Sequence, residues 1–192
     1  MKKLITLFAI ILVVFFLASC TAKAQNSQYA TKGTVELGGT ASYSSTTAVS
    51  NGTKDSESTT LLQFMPYISY FFTDNFSVGF APSINILDVA HSTSTTKFYG
   101  IFAVPGYTFN TNSNVFPFIE GIVGYTSVDF GAGSNSGLSY GGKGGIKVMV
   151  GNNGAASFGF SYMIIDVSPS GSTGRTGFNN FAFSVGYSVF IN

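Results

Sequence analysis

The chain has 192 residues, of which only 9% are charged and 16% aromatic, with 20 Phe, 10 Tyr and no Trp. A charged fraction so far below the roughly 25% usual for soluble domains leaves too little polar surface for a water-facing shell. The net charge of +1 excludes the basic footprint that nucleic-acid binding requires.

Residues 1–24 read as a secretory signal peptide. Lys2 and Lys3 give a positive start, and Leu4 to Ala18 is apolar apart from Thr6. That stretch falls short of the ~20 residues a membrane-spanning helix needs. Two processing readings compete. Ala22-Lys23-Ala24 before Gln25 fits an A-x-A cleavage site, whereas Leu17-Ala18-Ser19-Cys20 resembles a bacterial lipobox in which Cys20 would be lipidated. The strand content that follows needs no lipid anchor, so cleavage after Ala24 is preferred. Cys20 is the only cysteine, which rules out an internal disulfide and a cysteine metal site. Residues 25–32 read as a short periplasmic N-terminal segment, and 33–192 as one domain.

Eight alternating runs follow, separated by short and long gaps in turn. The short gaps are Thr73-Asp74-Asn75, Asn110 to Asn114, and Gly151-Asn152-Asn153-Gly154. The long ones are Ser44 to Ser58, Asp88 to Thr96, Gly131 to Gly137 and Ser168 to Thr176. Tight turns at one end and long polar loops at the other are what an up-and-down barrel crossing an outer membrane needs. An even strand count puts both termini on the short-turn side.

Side chains in a strand alternate between two faces, so each run should split into an apolar and a small or polar set. In the first run Val35, Leu37, Ala41 and Tyr43 oppose Glu36, Gly38, Thr40 and Ser42. Residues 59–72 and 97–109 carry apolar groups on both faces, which leaves their facing open. Phe76, Val78, Phe80, Ile84 and Ile86 oppose Ser77, Gly79, Ala81, Ser83 and Asn85. Later, Leu138, Tyr140, Ile146, Val148 and Val150 oppose Ser139, Gly141, Lys143, Gly145 and Lys147. Phe158, Phe160, Tyr162 and Ile164 oppose Ser157, Gly159, Ser161 and Met163. Phe181, Phe183, Val185, Tyr187, Val189 and Ile191 close the series.

A soluble β-sandwich would have to expose those aromatics to water, an aggregation hazard; facing lipid they are stable. The fold class expected is therefore all-β, an eight-stranded antiparallel up-and-down transmembrane β-barrel. Pro66, Pro82, Pro105 and Pro117 fall on the outward face inside strands. Each removes a ladder hydrogen bond, so each should mark a bulge or a strand end.

Several segments resemble the outer-membrane β-barrel family common in Bacteroidetes, relatives of the OmpA-type eight-stranded barrel. "PYISYFFTDNFSVGF" (66–80) is similar to its strand, "FxTDNxxxG" turn and next strand. "FPFIEGIVGYT" (116–126) resembles its "PFxxxGxGY" strand, with Val123 where a small residue is usual. "GGKGGIKVMVGNNGAASFGFSY" (141–162) resembles a late hairpin and "FSVGYSVFIN" the closing strand, although the chain ends Phe190-Ile191-Asn192 rather than on an aromatic residue. The resemblance spans nearly all of the mature chain. It implies fold and outer-membrane location, not a role, since such barrels serve many.

The polar residues of interest are Glu36, Glu120, Lys143 and Lys147, all on inward faces. Counting across the 131–137 loop sets Glu120 opposite Lys147, within one residue. In a lumen just wide enough to be filled by side chains, these charges must pair, so a Glu120–Lys147 pair with Glu36 and Lys143 nearby is expected, as a structural or gating network. His91, the single histidine, sits before Ser92 and Thr93 with Asp88 the nearest acid. Some outer-membrane barrels deacylate lipid A with a His/Ser/Glu set, but a held nucleophile and orienter are not evident here. Lys54, Asp55 and Glu57 read as a solvated hairpin tip. "GAGSNSGLSYGGKGG" lacks the Walker pattern and a following helix.

These observations lead to a barrel with a structural or surface-interaction role through its loops and no catalysis. A narrow pore is the alternative, and a lipid A-modifying enzyme using His91 a lower one. No cofactor or metal is expected. Partners would be outer-membrane lipid, lipopolysaccharide and the assembly machinery, with the chain a monomer.

Overall fold

The computed structural model describes residues 29–50, 53–88, 95–111, 113–129, 134–166 and 177–192. Eight strands follow one another: β1 (Val35–Ser50), β2 (Thr53–Thr73), β3 (Phe76–Asp88), β4 (Thr95–Thr108), β5 (Val115–Asp129), β6 (Ser134–Val150), β7 (Gly154–Asp166) and β8 (Gly177–Ile191). Each pairs antiparallel with the next, and β1 with β8, so the sheet closes into a barrel. The fold is the expected all-β, eight-stranded up-and-down barrel. Closure is the one way a sheet can sit in hydrocarbon with no unpaired edge.

The register shows how the barrel is sheared. From Tyr107 on β4, cross-strand partners run through Ile119, Gly144, Phe160, Phe183, Tyr43, Leu62 and Ile86 back to β4 at Lys97, 10 residues from the start. Such a stagger goes with strands tilted roughly 35–45° and an interior that side chains can fill.

Alternation sorts the two faces. Phe160, Phe181, Ile101 and Tyr125 are each more than half exposed on the outside, while Ser157, Ser161, Ser184 and Ser188 are buried within. On β2, Leu61, Gln63, Met65, Ser69 and Phe71 point inward, and on β4 Phe98, Phe102 and Val104 do. The apolar residues on both faces of these strands thus serve lipid on one side and the lumen on the other.

The short gaps after β2 and after β6 are tight turns. Asn75 (φ 70°) and Gly151 (φ 71°) take left-handed conformations there. The described parts of two of the long gaps are strand. The β1–β2 ladder continues to Ser50↔Thr53, inside the expected Ser44–Ser58 loop, and β5–β6 pairs down to Asp129↔Ser134. Beyond the hydrocarbon a ladder no longer needs an apolar face, so Ser- and Thr-rich sequence can stay paired without showing alternating hydropathy. Among the described residues β1 pairs with β8 as far as Tyr43, and β2 with β3 as far as Thr60, opposite Asp88 at the last described position of β3. Past those points the β1–β2 ladder runs on as a ribbon about 20 Å long at the ~3.4 Å rise of an antiparallel strand.

The prolines correct another expectation, because none of the four marks a strand end or a register shift. Pro66 and Pro82 lie across from each other. β2–β3 pairing stops at Phe64↔Ile84 and resumes at Ile68↔Phe80 in the same register. Pro105 interrupts β4–β5 in the same way, between Ala103↔Val123 and Gly106↔Glu120, and Pro117 sits in an unbroken stretch. The irregularities lie instead at Thr47/Val49 and Phe71/Thr73. Closure on both sides holds the strand in place while one donor is lost.

Candidate functional site

The lumen is organised in three tiers. At the turn end Tyr29, Ala30, Phe71, Phe116, Met149, Ala155 and Phe190 form an apolar cluster. Toward the loop end a second cluster contains Met65, Ala81, Phe98, Phe102, Val104, Ile122, Val128, Met163 and Ile165. Between them lies a charge centre.

Its focus is Glu36, second residue of β1 and 1% exposed. Lys147 on β6 donates to both carboxylate oxygens at 2.9 Å. Oε1 also accepts from Tyr67 Oη at 2.9 Å and Ser188 Oγ at 2.7 Å, and Oε2 from Tyr29 Oη at 3.0 Å. Four donors from β2, β6, β8 and the N-terminal segment thus converge on one carboxylate. Gly38 makes room for this: a Cβ there would stand 2.6 Å from the Ser188 Cβ.

Charge alternates outward from that focus. Lys147 lies 3.7 Å from Glu120, and Glu120 lies 3.8 Å from Lys143. The Lys147 ammonium is also walled by the rings of Phe118, Tyr29 and Tyr67, 5.2–5.8 Å from their centres, and Lys143 sits over Phe118 at 5.4 Å. Such ring faces favour a desolvated cation. A cavity of about 20 Å³ beside Glu36, Glu120 and Lys143 has room for roughly one water.

The four charges expected inside are brought together, and Glu120 and Lys147 do pair at 3.7 Å, but they are not direct neighbours across the ladder. Glu120 faces Lys143 across the ladder, and Lys147 faces Phe116. The expected alignment treated Gly131–Gly137 as an unpaired loop with the hairpin centre near its middle. Because Ser134 to Gly137 pair as strand, the true centre lies earlier and the register moves by four residues. Glu36, expected only to lie nearby, is the closest partner of Lys147.

Tyr29, Tyr67 and Ser188 were not singled out beforehand. Alternation alone puts Tyr67 between the inward Met65 and Ser69, and Ser188 between outward Tyr187 and Val189. Tyr29 carried no such signal, since it precedes the first strand. Burial raises its hydroxyl well above the usual phenol range, so it remains a proton donor.

Cys20 and His91 lie outside the described residues, as do the side chains of Lys54, Asp55 and Glu57. Among the described residues no three His, Cys, Asp or Glu side chains gather as a metal site would require.

No protein-family model matches this sequence, and no curated protein matches it. Solved structures do match. Neisserial surface protein A (NspA) is 18% identical with a TM-score of 0.59, covering 82% of this chain and 97% of that one. The N-terminal β-barrel domain of OprF from Pseudomonas aeruginosa is 12% identical with a TM-score of 0.52, covering 83% and 98%. Ail, the attachment invasion locus protein of Yersinia pestis, is 15% identical with a TM-score of 0.50, covering 83% and 99%. At these identities the likeness is one of fold. The chain has the fold of the small eight-stranded outer-membrane barrels.

Proposed function

We propose that this chain is a non-catalytic outer-membrane barrel that acts at the cell surface through its loop-end hairpins, with both termini in the periplasm. The observation behind this reading is the filled lumen. Apolar clusters flank a satisfied charge centre, and the void beside that centre holds about one water. A lumen so packed supports a surface role over transport. The β1–β2 ribbon, extending past the described pairs with β3 and β8, is rich in Ser and Thr and is the element proposed to make contact. Monomeric insertion by the assembly machinery, with lipopolysaccharide around the loop end, belongs to the same reading. So does kinship with the Bacteroidetes-type barrels, which rests on the motifs alone.

The test is solute flux. Proteoliposomes should exclude small sugars and ions as tightly as empty vesicles do, while cells displaying the protein should lose surface contacts when the ribbon is shortened. Swelling or steady conductance by the wild type would overturn the reading.

A narrow pore is the second reading, favoured by the buried ion pair in the lumen. It requires that Lys147→Ala raise single-channel conductance in a planar bilayer, and an unchanged trace removes it. The lipid A-modifying alternative rests on His91 alone. A mass-shift assay comparing wild type with His91→Ala decides it, and an unshifted wild type ends it.

A further inference from the structure

We infer that residues 29–34 form a separable stopper that seals the turn end of the lumen, distinct from the wall that makes the barrel. The wall closes without them, since the ladder runs from Val35 to Ile191 and joins β1 to β8. The segment instead lies across the mouth. The Gly33 N–H donates to Phe71 O at 2.8 Å, the Phe71 N–H to Thr34 O at 2.9 Å, and the Asn75 N–H to Ala30 O at 2.7 Å. Lys32 N–H donates to Asp74 Oδ1 at 2.8 Å, and Thr34 Oγ1 to Asn192 Oδ1. Every one of these bonds ends at the β2–β3 turn, the last residues of β2, or the C-terminal residue.

The sealing part is one side chain. Tyr29 is 2% exposed and packs its ring against Phe71, Phe116 and Phe190, with centroids 5.1–5.7 Å away. These three residues come from β2, β5 and β8, so the ring completes a collar that the strands alone leave open. Ala30 is held left-handed at φ 61°, a conformation rare for alanine, which turns Tyr29 back into the barrel. Above the ring its hydroxyl caps Glu36.

The charge centre does not depend on that cap. Without Tyr29, Glu36 keeps Lys147, Tyr67 and Ser188. Its departure uncovers Glu36 and, beyond it, the small chamber of about 20 Å³ that Met65, Tyr67, Ser69, Glu120 and Lys143 also line. A through-channel would need a second movement in the Phe98, Phe102 and Met163 cluster.

Ser69 reports on this chamber, because it faces Glu36 across the β1–β2 ladder and lines the cavity. In a Cys20→Ser background, Ser69→Cys is labelled with a small cationic methanethiosulfonate in refolded, bilayer-inserted protein. Labelling should be slow with wild-type Tyr29 and with Tyr29→Phe, which keeps the ring, and faster by about tenfold or more in Tyr29→Ala, as expected when local opening replaces a closed state. Heat-modifiable gel mobility checks that each variant is folded. Should Tyr29→Ala fail to fold, Asp74→Ala with Thr34→Val decides, since it loosens the strap and leaves every ring in place; it too should speed labelling. Equal rates in the loosened and intact proteins, fast or slow, overturn the stopper.

Discussion

At the scale of residues, the energetics turn on Glu36. A carboxylate taken out of water is costly unless its charge is matched and its lone pairs are occupied, and here five hydrogen bonds from four donors do both. Lys147→Met would leave that carboxylate among neutral hydroxyls and should destabilise the barrel by about 3–5 kcal/mol. Glu36→Gln combined with Lys147→Met should recover most of the loss. Urea unfolding midpoints of detergent-refolded protein, followed by heat-modifiable mobility, measure both. A double variant no more stable than Lys147→Met alone would show that the pair is not coupled. Ser188→Ala, which removes one hydroxyl donor to a charged acceptor, should cost about 1.5–3 kcal/mol on the same assay. That these charges lie inside was legible from alternation alone. Which charge meets which was not, because Glu36 and Lys147 stand on strands that are not neighbours in the sheet.

At the scale of strands, glycines divide into those the packing demands and those it does not. A Cβ on Gly145 would lie 2.0 Å from the Phe158 carbonyl, whereas one on Gly144 would lie 3.7 Å from Phe118 O. Gly145→Ala should therefore impair folding, with a loss of more than about 3 kcal/mol, while Gly144→Ala should stay within about 0.5 kcal/mol of wild type. Refolding yield into lipid vesicles separates the two, and equal yields would mean that β6 and β7 can move apart at this point. The glycine-rich stretch was readable in advance as a place of close packing. Its individual glycines were not distinguishable, since neighbours in sequence face opposite sides of the wall. The ends of β1, β2 and β6 were misread for a related reason: hydropathy reports the solvent around a strand, and the ladder outlasts the membrane.

For the molecule as a whole, the pairing predicts that barrel and ribbon are energetically separable. Replacing residues 48–57 by a two-residue type I′ turn such as Asn-Gly, which joins the paired Thr47 and Ser58, should leave stability within about 1 kcal/mol and the heat-modifiable shift unchanged. Among the described residues the pairs that close the barrel end at Tyr43 and Thr60. A loss of folding on this replacement would make the ribbon part of the barrel's nucleus rather than an appendage. Retained folding with lost surface contact is the result the proposed function requires.

The amino-acid sequence by itself determined the architecture and the two faces. Period-two alternation is local, and in a closed sheet each residue has only two directions in which to point, toward lipid or toward lumen. The tertiary structure alone decided what meets inside. Partners across a barrel depend on every turn between them and on a register that advances 10 residues per circuit, so an error in one hairpin shifts all later pairings. It alone showed too that Tyr29, lying before the first strand and outside any repeating pattern, folds back to close the lumen against Phe71, Phe116 and Phe190.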